Sequence, residues 1–278
     1  MVEPSSPVEA LPRPPRPRRA GVLTRLALVA TLLVAGLVLI LTIGVTRNDQ
    51  GGPEKAPPLP VPDQRPQPGV AVPKAALPAP EDRLNASDQA ELDAWAQRVA
   101  RATSVPERVL VGYGKAEMWM RSQQPNCHIS WAMLAGIGRV ESQHAGFGGA
   151  EVGADGRLTK PIIGIPLNGS PGVKAIPDTD GGKLDGDTQW DRAVGPMQFL
   201  PATWQRHAAR AAGDGGTPDP QNIDDAALTA ARYLCSSGGD LSKPDGWWKA
   251  VLTYNESVSY GQDVFSGADA YATAIPAP

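Results

Sequence analysis

The sequence predicts a mostly α-helical domain with a long irregular or β-hairpin insert, preceded by one transmembrane helix. Three observations support this prediction: an uninterrupted apolar run near the N-terminus, a proline-rich stretch after it, and apolar residues at helical spacing through much of 85–278. Neither an internal repeat nor an alternation of strand and helix patterns is present. The pattern therefore favours packed helices over a parallel sheet.

Residues 26–45 are the predicted transmembrane helix. They form twenty consecutive uncharged, mostly aliphatic positions, enough to cross a bilayer core of about 30 Å. Five arginines lie in 1–25 and only Arg47 follows closely, so the positive-inside rule makes 1–25 a cytoplasmic basic tail and places the rest outside. The alternative is a cleaved signal peptide, whose apolar region is usually about 7–15 residues long. Residues 42–45 fit a cleavage site poorly, so we expect an uncleaved anchor and a single-pass cell-membrane protein.

Residues 46–84 have the composition of a disordered linker. Ten prolines fall between positions 53 and 80, with glycine and other small residues between them, so no core can form. In polyproline conformation such a segment reaches about 3.1 Å per residue, on the order of 100 Å in total. We expect a tether between the membrane and the domain at 85–278.

The part of the chain after the basic tail is mildly acidic. Residues 1–25 contain five of the 26 basic and two of the 29 acidic residues, which leaves 21 basic and 27 acidic residues beyond them. No basic stripe with interleaved aromatic residues is present to bind a phosphate backbone, so nucleic acid is not an expected partner. Residues 85–278 suffice for one globular domain with its own core.

Two cysteines, Cys127 and Cys235, lie in this exported part. In an oxidising compartment an even pair without metal-ligand spacing is most simply one disulfide. The bond would close a loop of roughly 100 residues and contribute about 4–5 kcal/mol on the chain-entropy model. Two free buried thiols are the alternative.

Helical patterns dominate 85–278. The first predicted helix spans 87–103 and the second 106–120; both carry apolar residues at helical spacing. Further helices are predicted over 131–142, from 201, over 224–235 with Asp224 as cap, and over 245–254. From 147 to 189 Gly, Pro, Asp and Asn crowd the sequence, which predicts a long ordered loop or a small β-hairpin. Loops of that length inside a compact domain are usually functional.

The helix at 131–142, with the sequence WAMLAGIGRVES, delivers one carboxylate. At 3.6 residues per turn Glu141 shares a face with the apolar residues Leu134 and Ile137, so we expect it to be desolvated. Desolvation raises a carboxyl pKa towards neutrality, which suits a general acid. The alternative is a glutamate paired with a core arginine, such as Arg139 or Arg192.

Three segments belong together: IGRVES at 137–142, AVGPMQFLPATW at 193–204, and the Tyr-Asn pair at 254–255. In this order and at these distances they resemble the lytic murein transglycosylases, specifically the membrane-bound lytic transglycosylase B type and its actinobacterial relatives. The resemblance covers about 105–260 and implies a lysozyme-like fold. It also implies cleavage of the β-1,4 bond between N-acetylmuramic acid and N-acetylglucosamine in peptidoglycan, for cell-wall remodelling.

The resemblance implies one carboxylate with two tasks. Glu141 protonates the glycosidic oxygen and then takes the proton of the C6 hydroxyl, which closes on C1 to give a 1,6-anhydro ring without water. Most glycosidases use a pair of carboxylates instead. No second acid accompanies Glu141 on its helix, although Asp191 from another segment is an alternative partner.

The same resemblance implies the substrate-binding residues. Gln198 would contact the glycan, with a buried structural amide as the alternative role. Tyr254 and Asn255 would hold the N-acetyl side of the sugar and the carboxylate. Tyr233 and Tyr260 stand where the family has groove tyrosines, with core or rim aromatics as the alternative.

We expect no cofactor and no metal ligand set. The family's calcium loop corresponds to 210–219, where only Asp214 and Asp219 offer hard oxygen ligands and Arg210 stands in place of the first acidic ligand. A second acidic run, 178–187, lacks the terminal glutamate of an EF-hand and is expected to be a solvated turn, with structural calcium as the alternative. The three histidines lack metal-ligand spacing, and we expect them at the surface or packed in the interior; they are His128, His144 and His207. His144, three residues after Glu141, is also a candidate for lining the cleft.

The expected partners are peptidoglycan glycan strands and, through the anchor, the cytoplasmic membrane; the sequence identifies no protein partner. Two rival functions stay open. A hydrolytic muramidase would use the same glutamate but add water at C1. A non-catalytic glycan-binding scaffold is the rival from a different class, although a pure binder has no need of a desolvated acid.

Overall fold

The computed structural model describes residues 61–74 and 86–275. Within these ranges the chain forms seven α-helices, two short 3-10 turns and isolated β-bridges. The helices are α1 Ala86–Thr103, α2 Glu107–Gln123, α3 Trp131–Ser142, α4 Pro201–His207, α5 Ile223–Gly238, α6 Pro244–Tyr254 and α7 Val258–Ala274. The prediction of a mostly α-helical domain is confirmed.

The predicted basic tail at 1–25, the predicted transmembrane helix at 26–45 and the linker residues 46–60 and 75–84 lie outside the described residues. These assignments stay predictions. Within 61–74 and 86–275, no helix combines the length and the apolar character that a membrane crossing requires.

Helix α3 is the centre of the domain. Ser130 caps its N-terminus by accepting a hydrogen bond from the Met133 N–H at 3.3 Å. The first eight residues of the helix, Trp131 to Gly138, are all buried. A helix that is apolar all round has to be enclosed on every side, and α3 is enclosed mainly by α7 and α2.

The close approach of α3 and α7 depends on small residues. A Cβ atom at Gly136 would lie 2.6 Å from the Val264 carbonyl oxygen and 3.1 Å from the Ala268 Cβ, so no larger residue fits there. The sequence does not predict α7, because its two glycines and two serines have weak helix propensity. Packing against α3 stabilises α7 in spite of that propensity.

The start of α5 corrects a predicted cap. Asn222, rather than Asp224, caps this helix by accepting a hydrogen bond from the Asp224 N–H at 2.9 Å. The Asp224 carboxylate instead pairs with the Arg108 guanidinium through two hydrogen bonds of 2.8 Å. Both residue types cap helices well, so the ion pair with α2, which is not visible in the local sequence, decides between them.

The predicted insert is an irregular loop held by isolated bridges, among them Ile163 with Val194 and Pro177 with Trp190. Its returning arm runs beside 162–167, where the Gly164 N–H donates to the Ala193 carbonyl at 2.8 Å. Of the two forms that the sequence leaves open, the described residues therefore adopt the ordered loop. The arm leads directly into the segment that carries Gln198.

The predicted disulfide is present. Cys127 and Cys235 are bonded, with their Cα atoms 5.4 Å apart, across 108 positions of sequence. The bond joins the 3-10 turn before α3 to the last turn of α5. The Cys127 carbonyl also accepts a hydrogen bond from the Leu241 N–H at 2.8 Å, so the turn before α3 is fixed at two points.

Residues 61–74, here called the N-terminal strap, belong to the folded domain. They are extended, as their proline content predicts, but they are packed on the helices rather than free. The indole N–H groups of Trp131 and Trp248 donate to the Val70 and Gln64 carbonyls at 2.9 and 2.8 Å. Val72 is only 2% exposed and joins the core. The part of the predicted linker at 61–74 is therefore ordered.

We predict that Val72→Asp lowers the free energy of unfolding by about 2–4 kcal/mol, because a buried valine contributes about 1.5–3 kcal/mol and a carboxylate cannot take its place without a partner. The matched control is Ala71→Asp at the neighbouring exposed position, which we expect to change stability by less than about 0.5 kcal/mol. Urea unfolding followed by tryptophan fluorescence measures both variants. Equal midpoints for the two would show that the strap is not packed in solution.

Candidate active site

Glu141 lies in the last turn of α3 with its side chain half-buried. Its Oε1 atom accepts a hydrogen bond of 2.6 Å from the Tyr260 hydroxyl of α7. Burial raises the pKa of Glu141 from 4.5 to about 7, and the bond from Tyr260 lowers it only in part. The carboxyl group is therefore poised between its two protonation states near neutral pH.

The ion pair that the sequence leaves open for Glu141 is not formed. Arg192 pairs with Asp187 at 2.9 Å, and among the described residues no arginine, lysine or histidine forms a salt bridge with Glu141. Asp191, the alternative second acid, is engaged within the insert, where it accepts hydrogen bonds from the Thr179 N–H and hydroxyl at 2.8 Å. No other carboxylate of the described residues contributes to the pKa of Glu141.

Gln198 is placed by a constrained segment that begins at Gly195. Gly195 has a φ of +77°, and a Cβ atom on it would lie 1.9 Å from the Pro220 carbonyl oxygen, so only glycine fits. Gln198 itself has a φ of +45°, and its Nε2 donates to the Gly195 carbonyl at 2.8 Å. The side chain uses one of its amide hydrogens to hold its own turn and keeps its carbonyl oxygen free to accept.

Ser142 joins the end of α3 to this segment. Its hydroxyl donates to the Pro196 carbonyl at 2.6 Å and accepts from the Ala145 N–H at 2.8 Å. The three residues that follow Ser142 all have left-handed backbone, with φ of 54° at Gln143, 57° at His144 and 66° at Ala145. Such conformations cost on the order of 1–3 kcal/mol each in non-glycine residues, so surrounding contacts must hold this turn.

An aromatic cluster borders the site on the side of α6. The Tyr254 hydroxyl donates to the Met197 carbonyl at 2.7 Å, next to Gln198. The Tyr254 ring lies 5.6 Å from that of Phe199 and 5.7 Å from that of Tyr233. Burial, and then the charge of nearby Glu141, raise the pKa of Tyr254 well above its usual value. Tyr254 therefore lies near Glu141, but its hydroxyl is bonded to the segment that carries Gln198.

The structure brings the predicted residues together to different degrees. Tyr260 touches Glu141 directly, whereas the Tyr254 hydroxyl is used on the segment of Gln198. Tyr233 lies in the aromatic cluster and donates to the Thr253 carbonyl at 3.2 Å. Asn255 is exposed just after α6, and its side chain makes no hydrogen bond within the described residues. The hydroxyl on the carboxylate is therefore that of Tyr260 and not that of Tyr254.

The sequence does not predict the hydrogen bonds of four polar residues around the end of α3, one of which, His144, it names only as a packing residue or a candidate for the cleft. Ser142 follows Glu141 directly, and a hydroxyl on the buried face of a helix indicates that it has a hydrogen-bond partner. The other three, Tyr113, His144 and Tyr271, form a chain of hydrogen bonds between α2 and α7. His144 is buried in packing, as expected for a histidine without metal-ligand spacing. No local pattern links the two tyrosines, because they are distant in sequence.

Three carboxylates of the insert lie close together. One oxygen each of Asp178, Asp180 and Asp191 falls within 4.8 Å of the others, a donor set that suits a hard cation. Each of these groups also accepts backbone N–H bonds, for example from Gly181 to Asp178 at 2.9 Å and from Leu184 to Asp180 at 2.9 Å. These bonds stabilise the loop, and they lower the pKa of Asp178.

The loop at 210–219 is organised by a guanidinium. Arg210 bonds Asp214 at 2.8 Å and the buried Asp225 at 3.0 Å. Asp219 pairs with Arg157 at 3.2 Å. The carboxylates in and beside this loop are thus already neutralised by arginines.

Neither a family model nor a curated protein sequence matches the chain. Two solved structures are similar to it. One is the Escherichia coli lytic transglycosylase SLT35 in complex with bulgecin A, with a TM-score of 0.37 and 15% identity over 65% of this chain and 78% of that chain. The other is the same E. coli enzyme in complex with calcium, with a TM-score of 0.37 and 14% identity over 65% of this chain and 79% of that chain.

We predict that Glu141→Gln stabilises the domain at high pH but not at low pH. The folded pKa is about 7 and the unfolded value 4.5, so the unfolded chain releases a proton between these values that the folded protein keeps. The wild type therefore loses stability as pH rises through this window. The glutamine variant lacks this loss, which is at most about 3.5 kcal/mol because each pKa unit between 4.5 and about 7 is worth about 1.4 kcal/mol.

Urea unfolding at pH 4 and pH 8 measures this difference. Glu117, whose pKa burial also raises to about 7, is present in both proteins and cancels. The exposed Glu91→Gln on α1 is the control and should follow the wild type. A stability difference between Glu141→Gln and the wild type that is the same at both pH values would contradict the raised pKa.

Proposed function

We propose that the chain is a peptidoglycan lytic transglycosylase, which cleaves the N-acetylmuramic acid to N-acetylglucosamine β-1,4 bond without water and leaves 1,6-anhydro ends. One observation supports this most: a single desolvated carboxyl group, Glu141, stands at the end of a buried helix with a hydroxyl on one oxygen. The resemblance of 137–142, 193–204 and 254–255 to the transglycosylase motifs points in the same direction.

In the first step, protonated Glu141 gives its proton to the glycosidic oxygen. Tyr260 occupies Oε1, so Oε2 is the oxygen that is free to carry and transfer the proton. The bond between C1 and the leaving oxygen breaks as this oxygen is protonated, and positive charge develops at C1. The carboxylate that remains is stabilised by the Tyr260 hydroxyl.

In the second step, the carboxylate removes the proton of the C6 hydroxyl of the same sugar, and the C6 oxygen forms the new bond to C1. The proton returns to Glu141, so the acid is regenerated and no water is consumed. A pKa near 7 suits both steps, because the group must give and then take a proton at the same pH. Gln198, with a free carbonyl oxygen, would accept from the N–H of an N-acetyl group.

In the aromatic cluster beside Glu141, Phe199 is buried, whereas Tyr233 and Tyr254 are half-buried and would offer their rings to a sugar ring. Aromatic rings offer rigid contact area with polar tips, which suits a ligand with apolar ring faces and hydroxyl edges. Phe199, which both tyrosine rings contact, and Gln198 lie on the same segment, 195–199. Glycan strands are therefore the substrate class that we propose.

We predict that the domain releases fragments with 1,6-anhydro ends from purified peptidoglycan, identified by mass spectrometry. Glu141→Gln should lower turnover by at least about 100-fold, because the amide has no proton to transfer. The control Glu91→Gln changes an exposed glutamate on α1 and should retain wild-type turnover. Residual activity of Glu141→Gln above a few per cent would remove Glu141 from the central role.

The same measurement separates the two rivals. Reducing ends in place of anhydro ends would identify a hydrolytic muramidase, which uses the same acid but admits water to C1. Binding of glycan without any new ends would identify a glycan-binding scaffold. The raised pKa of Glu141 favours either enzyme over the scaffold, since desolvating an acid costs stability that binding alone does not require.

For the location, we propose a single-pass anchor at 26–45 with the catalytic domain outside the cytoplasmic membrane. The apolar run, the arginines before it and the proline-rich residues after it support this topology. The anchor would restrict the enzyme to glycan near the membrane, for wall remodelling there. We propose no protein partner and no cofactor for the reaction.

We predict that the full-length chain is recovered in the membrane fraction and that protease added outside intact protoplasts digests the domain. N-terminal sequencing of the recovered protein tests retention directly. A mature N-terminus at or after Thr46 would mean that the apolar run is cleaved, which leaves the enzymatic proposal intact but removes the tether.

A further inference from the structure

We propose that His144 is a positioning residue: it fixes the turn at the end of α3 and thereby aligns Glu141 with Gln198. The kinetic part of this proposal rests on the proposed function, whereas its structural part does not. His144 does not touch the reacting atoms in the steps described above, and it acts through the backbone that follows Glu141.

His144 bridges two helices through its imidazole ring. Nδ1 lies 3.4 Å from the Tyr113 hydroxyl of α2, and Nε2 lies 2.7 Å from the Tyr271 hydroxyl of α7. The side chain is 9% exposed. A neutral imidazole has one donor and one acceptor nitrogen, so it satisfies both hydroxyls without a charge.

The surroundings keep this imidazole neutral. Burial, and then the positive charge of Arg139 from α3, lower the pKa of His144 to about 4. The titratable groups that face His144 are Tyr113 from α2, Tyr271 from α7 and Arg139 from its own element, α3. Since neither tyrosine carries charge near neutral pH, the bridge stays uncharged over the range in which Glu141 titrates.

The backbone of His144 connects this bridge to the site. His144 is the middle of the three left-handed residues, and its N–H donates to the Gly138 carbonyl at 2.9 Å. The next residue, Ala145, donates to the Ser142 hydroxyl, which in turn donates to the Pro196 carbonyl. A shift of His144 would therefore loosen Ser142 and release the segment that carries Gln198.

Packing alone does not account for this choice of residue. An apolar side chain at 144 would leave the buried Tyr113 hydroxyl without its partner, which is unfavourable. Histidine also belongs to the few non-glycine residue types that are enriched in left-handed backbone. The position thus selects a residue that tolerates the turn and presents two ring nitrogens in opposite directions.

The test uses His144→Asn and Tyr271→Phe. Asparagine tolerates the left-handed turn but cannot reach both tyrosines, and Tyr271→Phe removes one hydroxyl from a half-buried ring. The matched control is His128→Asn, because His128 also has left-handed backbone, with φ of 57°, and bonds Asp240 at 2.8 Å. It precedes α3, whereas His144 follows it.

With peptidoglycan as substrate, we expect His144→Asn and Tyr271→Phe to lower kcat by about tenfold or more with KM changed less than about threefold, as for a misplaced reacting group. His128→Asn should stay within about twofold of the wild type. A kcat loss in His128→Asn equal to that in His144→Asn would overturn the proposal, since general weakening of α3 would then explain both.

A second measurement needs no turnover. Carbon-13 NMR of the Glu141 carboxyl, assigned with Glu141→Gln, reports its titration midpoint, and the Gln198 side-chain amide signals report the segment. We expect the midpoint to fall by about half a pH unit or more and the amide signals to move in both variants but not in His128→Asn. Unchanged signals in both variants would overturn the proposal.

A wild type that cleaves no peptidoglycan would instead refute the proposed function, and the NMR measurement would still decide the role of His144.

Discussion

The enclosure of α3 is the constraint on which the rest of the structure depends. Its first eight residues have no exposed face, so the neighbouring helices must approach closely, and Gly136 lets the α7 backbone come within contact of α3. That approach places Tyr260 on Glu141. The enclosure also partly buries the Glu141 carboxyl group, although its neighbours Arg139 and Val140 are exposed, and this burial raises its pKa to about 7. The close packing around α3 therefore explains both the position of Tyr260 and the raised pKa of Glu141.

The sequence predicts those parts of the fold that periodicity and residue type determine locally. Helix α3 and the desolvated position of Glu141 belong to this group, and the bond between Cys127 and Cys235 is predictable because the chain has only these two cysteines. Helix α7 does not, because its glycines and serines are weak helix formers whose small size matters only once α3 lies against them. The role of Tyr260 was predicted as groove lining, since its contact with Glu141 exists only in the packed pair of helices.

Composition also does not predict that a segment is packed when its hydrogen-bond partners lie elsewhere in the chain. The prolines of the strap predict an extended conformation, and the strap is extended, but the indoles of Trp131 and Trp248 supply donors for its carbonyls. Those donors are more than 50 residues away in sequence, so no local reading finds them. At Arg210, by contrast, the local sequence is informative. Arg210 stands where a calcium loop has an acidic residue, and in the structure its guanidinium pairs with Asp214 and Asp225.

The two ends of α3 differ: the N-terminal end makes contacts that stabilise the domain, whereas the C-terminal end carries Glu141 and a strained turn. At its N-terminus the disulfide, the Ser130 cap and the strap add contacts, and Glu117 accepts the Trp131 N–H at 2.7 Å while it also pairs with Arg121. At its C-terminus a desolvated carboxyl group and a left-handed turn of three non-glycine residues both cost free energy. A rigid helix can transmit the anchoring of one end to the other, because its backbone bonds resist bending over only three turns. The fixed end therefore allows the strained end to persist, and the strained end carries Glu141, for which we propose the catalytic role.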